Sequence, residues 1–150
     1  MKTRILSLFA ALALVSHAAM ADGHRFSADN ARFKAECGSC HLAYPPQLLS
    51  APAWRSIMAG LERHFGTDAS LDPAAAAEIG AFLQNNAGSG RRAGGETLRI
   101  TETAWFRHEH DEVPAAAWRR ASIKSAANCA ACHRAAEQGD FGERNIRIPR

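Results

Sequence analysis

All four cysteines of this 150-residue chain stand in two copies of one five-residue pattern, Cys37-Gly38-Ser39-Cys40-His41 and Cys129-Ala130-Ala131-Cys132-His133. Cysteines three positions apart on a helical turn present two thiols to the two vinyl groups of one haem. The histidine directly after them then lies under the iron. C-x-x-C-H is the attachment pattern of c-type haem, and a chain that places every cysteine in it, twice, is read as carrying two covalently bound haem c groups. Other uses of paired cysteines fit less well. Zinc-binding pairs of this kind have about 15 to 20 residues between them, whereas 88 residues separate Cys40 from Cys129. A thioredoxin-like redox pair needs a strand–helix–strand setting, and no such alternation is visible. Disulfides alone would not require a histidine after both pairs.

The first 21 residues read as a secretory signal peptide. Lys2 and Arg4 precede an apolar run from Ile5 to Val15, and Ala19-Met20-Ala21 offers a small-x-small cleavage site. The run is shorter than the ~20 apolar residues a membrane span needs. The mature chain is therefore expected to be a soluble, periplasmic protein. Cleavage removes two of the 18 basic residues and none of the 15 acidic ones, so the mature chain is close to neutral. No basic run is interleaved with aromatics, and nucleic acid is not an expected partner.

Each iron offers a second axial position, and the residues able to fill it can be counted. Met1, Met20 and His17 leave with the leader, so Met58 is the one remaining methionine. With His41 and His133 as proximal ligands, His24, His64, His108 and His110 remain for two distal places. Ser50, Pro52 and Gly66 predict a helix from Ala51 to Phe65. On it Trp54, Ile57, Leu61 and His64 follow one face, which favours His64 for the first haem over Met58. For the second, a helix through Trp105-Phe106-Arg107-His108-Glu109-His110 up to Pro114 sets His108 and His110 about 200° apart. His110 shares the stripe of Phe106 and Val113 and is the favoured ligand, with His108 as the alternative.

Cap and stop signals predict a mainly α chain. A first helix is expected from Ser27, carrying Phe33, Cys37 and Cys40 on one face, and a third from Asp72-Pro73 with Ile79, Phe82 and Leu83 packed. Residues 87–96, "AGSGRRAGGE", read as a linker between lobes at 22–86 and 97–150. A helix is expected from Pro114 to about Ser125, and "LRIT" and "IRIP" are candidates to pair as short strands. The lobes hold only 65 and 54 residues, too few to bury much core unaided.

The runs "ECGSCHLAYPPQLL", "GLERHFGTDASLD", "WFRHEHDEV" and "NCAACHRAAEQGDFGERNIRIP" together resemble the bacterial dihaem cytochrome c family over essentially the whole mature chain. That resemblance implies two small haem-binding lobes, the N-terminal one similar to class I cytochromes c and the C-terminal one less regular. It implies bis-histidine irons, with His64 in "HFG" and His110 in "R-x-E-H" as distal ligands. The implied partners are other cytochromes, a ligand-binding monohaem cytochrome c and a membrane b-type cytochrome. On this reading the protein is a monomeric electron carrier and not an enzyme. The rival is a haem enzyme or a gas-binding or sensor cytochrome with one open or displaceable axial site.

Overall fold

The computed structural model describes residues 25–26 and 29–150. The expected leader, His24 and the cap at Ser27 lie outside the described residues. Helix α1 runs Ala31–Cys37, and the side chain of Asn30 caps it by accepting from the Phe33 amide at 2.7 Å. Lys34 O accepts the Gly38 amide and closes the last turn. A Cβ at position 38 would collide with that carbonyl, which is why glycine follows Cys37. The first motif thus straddles a helix end: Cys37 is the last helical residue, while Cys40 and His41 lie in the turn beyond, not on the helix face expected for Cys40.

Helix α2, Ala51–Met58, begins as expected, with Ser50 Oγ accepting from the Ala53 amide and Pro52 in the first turn. It buries Ala53, Trp54 and Ile57. It does not continue to Phe65. Gly60, a poor helix former, begins a new 3-10 turn over Leu61–Arg63, after which His64 is extended. Phe65 and Gly66 then take left-handed φ values of 48° and 98°. The loop has its own bonds, Thr67 N to His64 O at 3.0 Å and Ala69 N to Leu61 O at 2.9 Å. His64 is therefore presented by a turn.

Helix α3, Pro73–Asn85, packs against α2. Asp72 accepts the Ala74 and Ala75 amides at 2.9 and 3.0 Å, while Ile79 and Leu83 are fully buried. Phe82 meets Phe33 at 5.2 Å. Residues 87–96 lie along this half: Gly88 N donates to Leu49 O, Ser50 Oγ donates to Gly95 O, and Ala93 is buried.

Beyond them regular structure becomes scarce. Helix α4 is Ala104–Glu109, capped by the buried Thr103, whose Oγ1 accepts from the Phe106 amide at 3.0 Å. It stops at His110, short of Pro114. Helix α5, Ala115–Trp118, is a single turn and does not reach Ser125. The second motif begins on a 3-10 turn, Cys129–Ala131. Strands are absent among the described residues, and "LRIT" does not pair with "IRIP". Ile100–Glu102 is itself a 3-10 turn, and Ile146 forms an isolated antiparallel bridge with His133. Arg134 N to Asn145 O and Arg147 N to Cys132 O fasten the C-terminal tail across the motif.

Most of the large buried side chains form one cluster. Phe33, Leu49, Trp54, Ile57, Ile79 and Leu83 meet Ile100 and Phe106 from the later half, with Trp105, Trp118 and Phe141 packed at its edge. No helix among the described residues is long and apolar enough to cross a membrane.

Candidate functional site

The structure brings the candidate histidines together in two pairs. His41 and His64 have ring centroids 6.2 Å apart with planes 22° apart. His110 and His133 are 6.0 Å apart with planes at 73°. His108 is exposed on α4. Met58 packs, partly buried, against the core cluster. Two imidazoles on opposite sides of one metal, each bonded at ~2.1 Å with ~1.1 Å from ring nitrogen to ring centre, would have centroids about 6.4 Å apart. Both pairs come close to that spacing, at 6.2 and 6.0 Å. Among the described residues no group of three or more His, Cys, Asp or Glu is placed to hold a metal ion; each pair brings two imidazoles face to face across a gap.

Local structure aims the rings. His41 Nδ1 lies 2.7 Å from Leu42 O, and His110 Nδ1 lies 2.8 Å from Phe106 O, one turn back on α4. Bonding at Nδ1 leaves Nε2 as the free lone pair, the usual division of labour in a ligating histidine. His110 also stacks on Phe106 at 4.0 Å and sits 5.8 Å from Trp118. Of the expected stripe of Phe106, His110 and Val113, the contact of Phe106 with His110 forms although the helix ends between them. His133 packs against Phe141 at 5.1 Å. Its Nδ1 is buried with no hydrogen-bond partner among the described residues, the Phe141 backbone lying near enough only to favour the protonated ring.

Burial, and then the neighbouring His41, push the pKa of His64 below the usual histidine value. Burial and His110 do the same to His133. Both shifts favour the neutral imidazole, which is the form that binds metal. Burial pushes the Cys37 and Cys129 thiols up to about 11 and raises Cys132 as well. As free thiols these side chains are uncharged and partly buried.

Several contributors escape sequence reasoning. Tyr44 stacks on His41 with centroids 4.6 Å apart, and its hydroxyl donates to Ala127 O at 2.7 Å. Burial, and then Cys129, push that hydroxyl up to about 12. Trp118 and Phe141, the aromatic walls of the second pair, lie eight residues beyond His110 and His133 respectively. That separation leaves no periodic signal. Asp140 was equally illegible: it accepts from Gly142 N at 2.9 Å, from Asn145 Nδ2 at 3.0 Å and from Arg25 at 3.0 Å.

Residues 33–141 match the family model for dihaem cytochrome c. The diheme cytochrome c from Rhodobacter sphaeroides is 42% identical, with a TM-score of 0.70 over 78% of this chain and 99% of that one. A diheme cytochrome type c from Shewanella baltica is 45% identical, with a TM-score of 0.71 over 80% and 93%. None of the curated proteins matches. The four cysteines are those required to attach two haem c groups, and with matched motifs, paired histidines and a shared helical fold, the chain belongs to the dihaem cytochrome c family.

Proposed function

We propose that this protein is a periplasmic electron carrier that relays electrons between redox partners by outer-sphere transfer. One haem is attached to Cys37 and Cys40 between His41 and His64, the other to Cys129 and Cys132 between His133 and His110. The observation that carries the reading is the pair of imidazole spacings, 6.2 and 6.0 Å. Bound haem supplies reversible one-electron exchange at iron. The chain's own part is to hold two imidazoles on each axis, keep water from the second pair with Phe106, Trp118 and Phe141, and leave no position for a substrate. Imidazole at both positions gives a lower potential than methionine ligation. A chain of this length has a radius of gyration of ~14 Å, so both sites lie within short range of each other. The partners proposed are a ligand-binding monohaem cytochrome c and a membrane b-type cytochrome.

Carbon monoxide tests the assignment. The reduced protein should give no rapid adduct and an unchanged low-spin spectrum. Stoichiometric adduct formation would instead favour a gas-binding or enzymatic role.

A further inference from the structure

We propose that Tyr44 is a positioning residue that couples the two histidine pairs: its ring sets the plane of His41 while its hydroxyl holds the chain leading into Cys129. This inference rests on reading the two pairs as haem sites. Tyr44 is the single tyrosine of the sequence, and its two ends serve different sites. The ring lies against His41 with centroids 4.6 Å apart and planes 19° apart. The hydroxyl spans 83 residues to donate to Ala127 O at 2.7 Å. That same carbonyl lies 3.7 Å from the Cys129 thiol.

The receiving segment needs such a tether. Its other hydrogen bonds among the described residues are local: Ala127 N to Ser125 Oγ, Asn128 N to Ser125 O, and Asn128 Nδ2 to Ile123 O. The donating end is stiff. Tyr44 precedes Pro45-Pro46, which confines its backbone to extended conformations. Pro46 is fully buried, and its carbonyl takes the Trp54 indole N–H at 2.7 Å. A rigid aromatic rod thus runs from the first motif's imidazole to the approach of the second motif. The His41 ring plane and the position of Cys129 are not set independently.

Two variants of the full holoprotein separate the ends of the rod. Tyr44→Phe keeps the stacked ring and removes the hydroxyl; Tyr44→Leu removes both. The readouts are the low-spin signature of each site, the two reduction potentials and amide exchange. For Tyr44→Phe the first site's signature should stay unchanged. The second potential should fall, because water reaching a loosened segment stabilises the more charged ferric form. The Asn128 and Ala131 amides should exchange about fivefold faster, as expected for one lost hydrogen bond. Tyr44→Leu should alter the first site's signature as well; should it not fold, Tyr44→Phe decides alone. An unchanged second potential and unchanged exchange in Tyr44→Phe, or a change at the first site only, overturns the coupling. Absence of low-spin bis-imidazole signals in the wild type would remove the site reading itself, before any variant is considered.

Discussion

The first histidine pair hangs from turns beside a packed helix pair; the second is built almost entirely from turns. In the N-terminal half, α2 and α3 lock together through Trp54, Ile57, Ile79 and Leu83, and His41 and His64 project from loops at the margin of that core. In the C-terminal half, α4 and α5 together supply fewer residues than α3 alone. His110 is a helix cap, and the second motif is fastened by the tail and by Asp140. The spacings are nonetheless almost equal, while the ring planes differ, 22° against 73°. A pair of imidazoles needs a fixed separation, which a few hydrogen bonds can set. Ring orientation follows the packing against each ring, and the two halves pack them differently.

The strongest test of this contrast removes one attachment at a time. Cys129→Ser with Cys132→Ser should halve the haem content and open residues 97–150 to limited proteolysis, while α2 and α3 stay protected. Cys37→Ser with Cys40→Ser should also halve it, yet leave the α2–α3 core protected. Equal protease sensitivity throughout both variants would mean that the helical core gives the first half no independent stability. Haem-free protein should show no cooperative thermal transition beyond what that core provides.

Distal ligands come next. His110→Ala and His64→Ala should each open one iron to carbon monoxide, whereas His108→Ala should leave the spectrum unchanged, its ring being exposed on α4. The ferric wild type should show two low-spin signals of different kinds. Nearly parallel imidazoles give a rhombic spectrum and nearly perpendicular ones a single, strongly shifted feature. His64→Ala should erase the rhombic signal, and His110→Ala the other. Two identical rhombic signals would break the comparison of planes.

Much of this is written locally in the chain. The starts of α2 and α3 are legible because Ser50 and Asp72 each stand just before a proline-bearing first turn, and a cap is a three-residue affair. The ends are harder. A helix to Phe65 fits the apolar spacing, but Gly60 breaks it, and the stripe reaches His64 by way of a 3-10 turn. In α4 the cap is Thr103, a residue the pattern contains but that hydrophobic spacing does not single out. Tyr44, Trp118 and Phe141 act across 83, eight and eight residues, so their roles depend on how the chain is folded rather than on any periodicity.

Core truncation should show the same asymmetry on a smaller scale. Leu83 and Ile123 are both fully buried, so removing most of either side chain leaves a cavity. Leu83→Ala should lower global stability by about 2–5 kcal/mol, read as a shift in the denaturant midpoint. Ile123 lies in a turn, outside the cluster that α2 and α3 build. Ile123→Ala should therefore cost less globally and appear mainly as faster exchange of the Ser125 and Asn128 amides. A larger midpoint shift for Ile123→Ala would place the core of the protein in the wrong half.

The smallest effect expected is a dependence on acid. Asp140 is held below the usual carboxylate range first by the Gly142 amide, with Arg25 and Asn145 adding to it. A carboxyl lowered on folding adds stability that is fully present above its ordinary pKa, near 3.8, and lost as pH falls through the lowered value. The C-terminal fastening should therefore loosen in that acid range and not before, seen as faster exchange of the Gly142 and Asn145 amides. Asp72 is lowered likewise by the Ala75 amide, so the α3 cap should weaken over the same range. Asp140→Asn separates the two. It should remove the acid step from the C-terminal tail, which is already loosened at neutral pH, and leave the step at α3 intact. Persistence of the tail's acid step in Asp140→Asn would assign it to another group, and the fastening of the second half would then rest on the tail's backbone pairing with Cys132 and Arg134 and on Arg120 and Ser122, which donate to Pro149 O and Arg150 O.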